Sequence, residues 1–222
     1  KLRPLTLRLL AQRGVTDEGA ARSYLTPRLS LLRPPEGQQP MRGFGLLVGR
    51  LLRAVEQQEP IAIFGDYDVD GVTAAALLAG FLGEVGATVL PRVARRQDGY
   101  GLRPHIVEEA AGRGARVLVV CDCGTNDREA LLLGKQLGLD VLVIDHHQAP
   151  VDEPPAFALC NPHHRDCAFP YKGLASVGVA FYVAAALRTR LLQRSNNVPD
   201  VRAYLDLVAL GTIADMAPLT EE

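Results

Sequence analysis

The chain has no long apolar run. None of its hydrophobic stretches approaches the ~20 residues that a membrane-spanning helix requires, which excludes helical membrane spans within it. It has no excess of either charge. There are 24 Lys and Arg against 25 Asp and Glu, for a formal net charge of -1. No global basic field is present to gather nucleic acid, so a polyanionic partner would have to be held by a local basic loop and by bound cations. Cysteine is scarce. The four present, Cys121, Cys123, Cys160 and Cys167, argue against a disulfide framework in a chain of 222 residues and point to a reducing cytoplasm. No signal-peptide pattern and no internal repeat are visible. The sequence begins at Lys1 rather than Met and stops at Thr220-Glu221-Glu222, just after an apparent motif, so it reads as a piece of a longer protein. What is present is an ordinary globular composition, 48% hydrophobic and 22% charged.

Hydrophobic periodicity divides the chain at about residue 45. Residues 1–45 read as a helical and irregular extension. Thr16-Asp17-Glu18 caps a short helix, and Pro34-Pro35-Glu36-Gly37 with Pro40 marks a connector. Residues 46–58 have helical spacing. Strands are expected at 61–64, 88–93, 117–121, 141–144 and 157–159. Helices are expected at 72–85, 104–113, 127–137, 176–193 and 200–212. This alternation predicts an α/β fold, a doubly wound, mainly parallel five-stranded sheet with helices on both faces, over residues 46–222.

Aspartate stands at four places where a metal enzyme would need it. The segments are Gly65-Asp66-Tyr67-Asp68-Val69-Asp70-Gly71, Cys121-Asp122-Cys123-Gly124, Asp145-His146-His147 and Ala214-Asp215. The first three directly follow the β-branched runs 61–64, 117–120 and 141–144, which read as buried parallel strands. Groups just past the carboxyl ends of parallel strands converge on the crevice where open α/β sheets bind ligands. Taken alone, the Asp66, Asp68, Asp70 triplet is equally a solvated acidic loop or a helix N-cap at Asp70. With Asp122 and Asp145 added, the carboxylates would repel one another unless cations neutralised them. Hard oxygen ligands with one or two imidazoles suit Mn²⁺ or Mg²⁺. Two such ions ~3.5–4 Å apart clamp the attacking and leaving oxygens of a phosphoester and lower the pKa of a bound water.

In their order, Gly-Asp-Tyr-Asp-Val-Asp-Gly, Asp-Cys-Gly, Asp-His-His and Gly-Thr-Ile-Ala-Asp-Met-Ala-Pro-Leu resemble the four motifs of the DHH phosphoesterase superfamily, most closely its RecJ single-strand exonuclease branch. The resemblance extends to Asp98-Gly99-Tyr100-Gly101-Leu102, Asn161-Pro162 and Val177-Gly178-Val179-Ala180-Phe181, and so covers residues 46–222. It implies a metal-dependent phosphodiesterase that hydrolyses single-stranded DNA from the 5′ end, in repair and recombination, with two divalent cations. Asp66, where other branches carry a histidine, would bind the first metal with Asp68. Asp122 would bridge both metals, and Asp70, His146 and Asp215 would complete the second site. His147 would contact the scissile phosphate, with Asp145 orienting its neighbours. The family pairs this domain with a C-terminal partner domain, so the resemblance places single-strand-binding or helicase partners outside this chain. Two other classes remain open: a hydrolase of short oligonucleotides or cyclic dinucleotides, against which Asp66 argues, and a non-catalytic replication relative, which would have lost ligands that are all present here.

Weaker features have competing readings. Arg95 matches a family arginine and would hold a backbone phosphate, or it belongs to a solvated loop. Tyr100 would stack on a base or support that loop. Ser176 and Gly178 open a helix whose amides would bind phosphate. The family usually has glycine where Ser176 stands, and helix capping by Ser176 is the plainer account. Cys160, His163, His164 and Cys167 resemble a zinc cluster by residue type, although adjacent histidines seldom reach one ion together. Cys121 and Cys123 are expected to pack around Asp122, and His105 to lie on a helix surface.

Overall fold

The computed structural model describes residues 2–219, and the chain separates at Pro34 and Pro35 into two compact units. The first contains α1 (Pro4–Gln12) and α2 (Glu18–Leu25). Proline opens α1, where its missing N–H costs nothing. Asp17 caps α2 by accepting from the Ala20 amide at 2.8 Å.

In the second unit, β-branched runs become strands because their pleated faces can both be buried. The elements are α3 (Phe44–Glu56), β1 (Ile61–Gly65), α4 (Val69–Glu84), β2 (Val89–Val93), α5 (Pro104–Gly112), β3 (Val117–Cys121), α6 (Arg128–Gln136), β4 (Asp140–Ile144), β5 (Ala158–Cys160), α7 (Ser176–Leu192) and α8 (Leu205–Ala214). The five strands form one sheet, ordered β2-β1-β3-β4-β5, with every pairing parallel. The fold is α/β and doubly wound. Alternate side chains, Ala62 and Phe64, Leu118 and Val120, Val141 and Val143, pack with Ile106, Val107 and Ala110 of α5 and Ala130 and Leu131 of α6. The opposite face is covered by α4 and α7, and α3 packs on β5 and α7. Each large apolar side chain buried this way stabilises the fold by about 1.5–3 kcal/mol. The edges are blunted: β5 has three residues, and β2 carries Pro91, which an edge strand tolerates.

The strand order creates a switch point. From β1 the chain moves outward to β2, then returns to place β3 on the other side of β1. Connections leave β1 and β3 in opposite directions, and a crevice opens at their carboxyl ends. Asp66 and Asp122 are the residues immediately beyond those ends.

Most boundaries lie within one or two residues of the sequence expectation, and three differences bear on the site or the sheet edge. Helix α4 starts at Val69 rather than 72, because Asp68, not Asp70, is its N-cap; the Asp68 carboxylate accepts from the Gly71 amide at 2.9 Å. The segment expected as one helix at 200–212 divides into a 3₁₀ turn (Val201–Tyr204), whose Asp200 cap accepts from the Arg202 amide, followed by α8. Asp215 thereby becomes the C-cap of α8. Strand β5 lies one residue later than 157–159. The tight entry into α4 depends on Gly71, where a Cβ would lie 2.6 Å from the Asp66 nitrogen and 2.7 Å from its oxygen. Gly71→Ala is therefore expected to destabilise the protein by about 1–3 kcal/mol, because backbone cannot yield as a side chain does. Chemical denaturation measures this; an unchanged midpoint would show that β1 and α4 have room to separate.

Candidate metal centre

Each strand-end aspartate is placed by one further rung of the parallel ladder. The Asp66 amide donates to the Cys121 carbonyl at 3.2 Å, Asp122 to Ile144 at 2.9 Å, and Asp145 to Cys160 at 3.1 Å. The three carboxylates thus stand in a row across β1, β3 and β4, each no more than 1% exposed. Asp122 turns out of its strand with φ +66°, a left-handed conformation that Asp tolerates better than most residues and that often marks functional sites.

The partners of these carboxylates differ sharply. Asp145 is saturated. Its Oδ1 accepts from the amides of His146 (2.8 Å) and His147 (3.2 Å) and faces His147 Nδ1 at 2.7 Å, while Oδ2 accepts from the Thr125 amide at 3.0 Å. Burial opposes its ionisation, but the hydrogen bonds from His147 and Thr125 prevail and hold its pKa down to about 2. Asp70 reaches across to the start of α7. Its Oδ2 accepts from Ser176 N at 2.6 Å and its Oδ1 from Val177 N at 2.8 Å. Asp122 Oδ1 accepts from the Ser176 hydroxyl at 3.0 Å.

Three buried atoms have no hydrogen-bond partner among the described residues at this site: Asp66 Oδ2, Asp122 Oδ2 and His146 Nε2. His146 Nε2 lies 3.3 Å from Asp122 Oδ1, within reach but outside hydrogen-bond geometry. Burying polar atoms without partners is costly, and carboxylate oxygens beside an imidazole nitrogen form a donor set for a hard or borderline divalent cation. Among the described residues, two groups bring their ligand atoms within 4.8 Å of one another: Asp122 with His146 and His147, and Asp70 with His146 and Asp215. These residues fit a pair of cations. Without them, burial, then Asp70 and Asp68, push Asp122 up to about 10. Burial likewise raises Asp66 and Asp70.

Of the expected ligands, Asp70, Asp122, His146 and Asp215 fall in the two tight groups. Asp66 and Asp68 lie outside them. Asp66 nevertheless turns a buried unpartnered oxygen, and Asp68 stands close enough to raise Asp122. His147, expected at the phosphate, joins Asp122 and His146. Its Nδ1 is committed to Asp145, and its Nε2 lies 2.8 Å from the Tyr100 hydroxyl. Asp145 raises the pKa of His147.

The amides of Ser176 and Gly178 are not turned toward an external phosphate. The Ser176 amide serves Asp70, and that of Gly178 closes a turn onto Ala175. Ser176 does not cap α7 either: the N-cap is Ala175, and Asp70 supplies the cap from another helix. Arg95 is exposed; its amide anchors to Asp98, while the ion pairs of this loop run from Arg92 to Asp98 and Glu109. His105 is a half-exposed neighbour of Asp98. Cys160, His163, His164 and Cys167 form no ligand group among the described residues. The Cys160 thiol meets Met41, and His164 is engaged by Arg42 and by the Asp166 amide. Cys121 and Cys123 are buried, as expected of packing residues, and all four thiols are free.

Two supporting residues were given no role in the sequence reading. Asn161 is fully buried. Its Nδ2 donates to Thr125 Oγ1 (3.0 Å) and to the His147 carbonyl (2.8 Å), and its Oδ1 accepts from His163 N. Thr125 in turn donates its amide to Asp145. The available signals were Asn161-Pro162 and the residue after Asp-Cys-Gly, neither of which reveals a partner by spacing.

The profile described as "DHH family, N-terminal domain" matches residues 60–212. The single-stranded-DNA-specific exonuclease RecJ of Escherichia coli (strain K12) is 38% identical over 230 residues, covering 99% of this chain and 38% of that protein. A crystal structure of exonuclease RecJ bound to manganese superposes with a TM-score of 0.73 at 33% identity, covering 86% of this chain and 46% of that one. The Thermus thermophilus RecJ structure in complex with Mn²⁺ gives a TM-score of 0.74 at 31% identity, covering 95% and 28%. The chain thus spans less than half the length of these relatives.

The carboxylate cluster predicts a pH dependence. Asp122 has a folded pKa of about 10 against an ordinary 3.8, so the folded chain retains a proton that the unfolded chain has released. Stability without cations therefore falls as pH rises through that window. The raised His147 contributes the same sign, its stabilisation being lost as pH rises through its folded pKa. The depressed Asp145 contributes a constant amount above about pH 4. Melting of cation-free protein is expected to drop from about pH 6 to about pH 9, with Mn²⁺ flattening the slope. A flat cation-free profile would mean that these carboxylates do not oppose one another.

Proposed function

Since this chain belongs to the DHH family, we propose that it is the catalytic domain of a divalent-cation-dependent phosphodiesterase, a single-strand DNA exonuclease with 5′ to 3′ direction acting in repair and recombination. The observation that carries this reading is the set of three unpartnered buried atoms, Asp66 Oδ2, Asp122 Oδ2 and His146 Nε2, at the switch point of the sheet. Residues 46–222 form the DHH domain in this proposal, with residues 1–45 as an extension.

Asp66, Asp68, Asp70, Asp122, His146 and Asp215 would hold two cations, Mn²⁺ or Mg²⁺. When bound, these would supply positive charge beside the phosphate oxygens on which negative charge gathers, and would acidify water. The rest falls to side chains. Asp145 fixes the orientation of His147 through Nδ1, and the protonated ring would then turn an Nε2–H to a phosphate oxygen in place of the Tyr100 hydroxyl. Because Asp145 raises its pKa, His147 retains its proton and its charge in a larger fraction of molecules.

The polymer meets an aromatic lip. Tyr67 and Tyr100 are 38% and 47% exposed and meet edge-to-face at 6.4 Å, and the Arg96 guanidinium lies 5.9 Å above the Tyr67 ring. Exposed aromatic faces beside Arg95 and Arg96 suit unstacked bases and backbone phosphates, and so favour a single strand. No helix of the described residues is long and apolar enough to cross a membrane. We place the protein in the cytoplasm, where its four free thiols would remain reduced.

End-labelled single- and double-stranded DNA is the test. With Mn²⁺ the full-length protein should shorten single strands from the 5′ end, and EDTA should abolish the activity; cutting that persists in EDTA would overturn the cation-dependent reading. His147→Ala should lower turnover by about 10²-fold or more with little loss of Mn²⁺ affinity, whereas His146→Ala should lose affinity first. Calorimetry alongside turnover separates them, and the reverse order would exchange their roles. Arg95→Ala should weaken single-strand binding and reduce the salt slope by roughly one phosphate contact. An unaltered slope would leave Arg95 a solvated loop residue.

A further inference from the structure

The two ligand groups share more than His146. Ser176, fully buried at the first turn of α7, donates its amide to Asp70 Oδ2 (2.6 Å) and its hydroxyl to Asp122 Oδ1 (3.0 Å). One residue thus bonds a carboxylate of each group, joining the start of α4 to the end of β3. Asp122 needs such a partner. It sits beyond its strand in a left-handed conformation, and the amides that fix Asp145 have no counterpart on its carboxylate. With Oδ1 held by the hydroxyl, the carboxylate is presented with Oδ2 free and buried.

We propose that Ser176 is a positioning residue for the metal centre, its hydroxyl orienting Asp122 while its amide holds Asp70, so that the two cation sites form as a unit. The proposal rests on the cation-dependent reading above and takes Ser176 out of the substrate contacts. The hydroxyl is the informative group. Replacing it by hydrogen leaves the amide bond to Asp70 intact but frees Asp122 to rotate. Partners that orient a metal ligand typically matter by about 10–100-fold in affinity.

Calorimetric titration of the full-length protein with Mn²⁺ tests this, with the Mn²⁺ electron paramagnetic resonance spectrum reporting on the coordination. Ser176→Ala and Ser176→Gly should each weaken binding about tenfold or more and alter the spectrum. Ser176→Thr, which restores the hydroxyl, should lose less than either. Wild-type affinity in the Ala and Gly variants overturns the proposal, and so does an equal loss in all three, which would make the effect one of packing. A raised KM for single-stranded DNA with unchanged Mn²⁺ affinity also overturns it, returning Ser176 to the phosphate. If the wild-type protein itself binds no Mn²⁺, the cation-dependent reading fails, and this proposal fails with it.

Discussion

Like charge crowded at the end of a sheet is the constraint on which this structure turns. Asp66, Asp70, Asp122 and Asp145 are all buried, and a buried carboxylate is tolerated only when hydrogen-bonded, protonated or matched to a cation. The protein uses different solutions one strand apart. Asp145 receives donors from His146, His147 and Thr125 and titrates at about 2. Asp122, next to it across the ladder, keeps a bare oxygen and is pushed up to about 10. Asp122 Oδ1 accepts from the Ser176 hydroxyl, and its Oδ2 has no hydrogen-bond partner among the described residues. That asymmetry is what the proposed roles rest on, Asp145 as support and Asp122 as a carboxylate free to meet an ion.

The parallel ladder makes this arrangement possible with little irregular chain. Because β1, β3 and β4 run in register, continuing the hydrogen bonding by one residue places Asp66, Asp122 and Asp145 side by side. Precision at the centre is inherited from the sheet rather than from loops. Helices then enter from the same edge. α4 comes close enough for Asp70 to reach because Gly65 and Gly71 allow backbone to pack on backbone; a Cβ on Gly65 would lie 2.3 Å from the Gly71 oxygen. The start of α7 meets Asp70 directly, so a helix that would otherwise present bare amides to an anion is closed by a buried carboxylate from α4.

Much of this was legible in the sequence, for identifiable reasons. Ile61–Gly65, Val117–Cys121 and Asp140–Ile144 are short, mainly apolar runs buried almost throughout, and each is followed at once by a buried aspartate. Local pattern therefore carried both the strand and the site. What stayed hidden depends on partners distant in sequence. The cap of α7 is Asp70, 106 residues before Ser176, and no capping signature near Ser176 announces it. Asn161 reaches Thr125, 36 residues away, and then the His147 carbonyl. Local pattern allows the N-cap of α4 at Asp70, yet it lies at Asp68. Among three aspartates at alternate positions, it is Asp68 whose carboxylate meets the Gly71 amide, where Gly71 packs closely on the Asp66 backbone.

The two adjacent histidines show how environment divides identical side chains. Their rings meet edge-to-face at 4.8 Å, so position alone barely distinguishes them. Their partners do. His147 is oriented through Nδ1 by a saturated carboxylate, is partly open to solvent, and turns Nε2 toward the Tyr100 hydroxyl at the lip. His146 is more enclosed. Its Nε2 is buried without a hydrogen-bond partner beside Asp122, and its Nδ1 lies 3.8 Å from Asp215. An imidazole held by a carboxylate at the mouth of a crevice is suited to meet a charged substrate. An imidazole with an unpartnered nitrogen among carboxylates is suited to a cation. Exchanging the roles would require Asp145 to release one ring and take the other, and the amides of both histidines already converge on its Oδ1. The division between them is therefore built into the backbone that follows β4, before any ligand arrives.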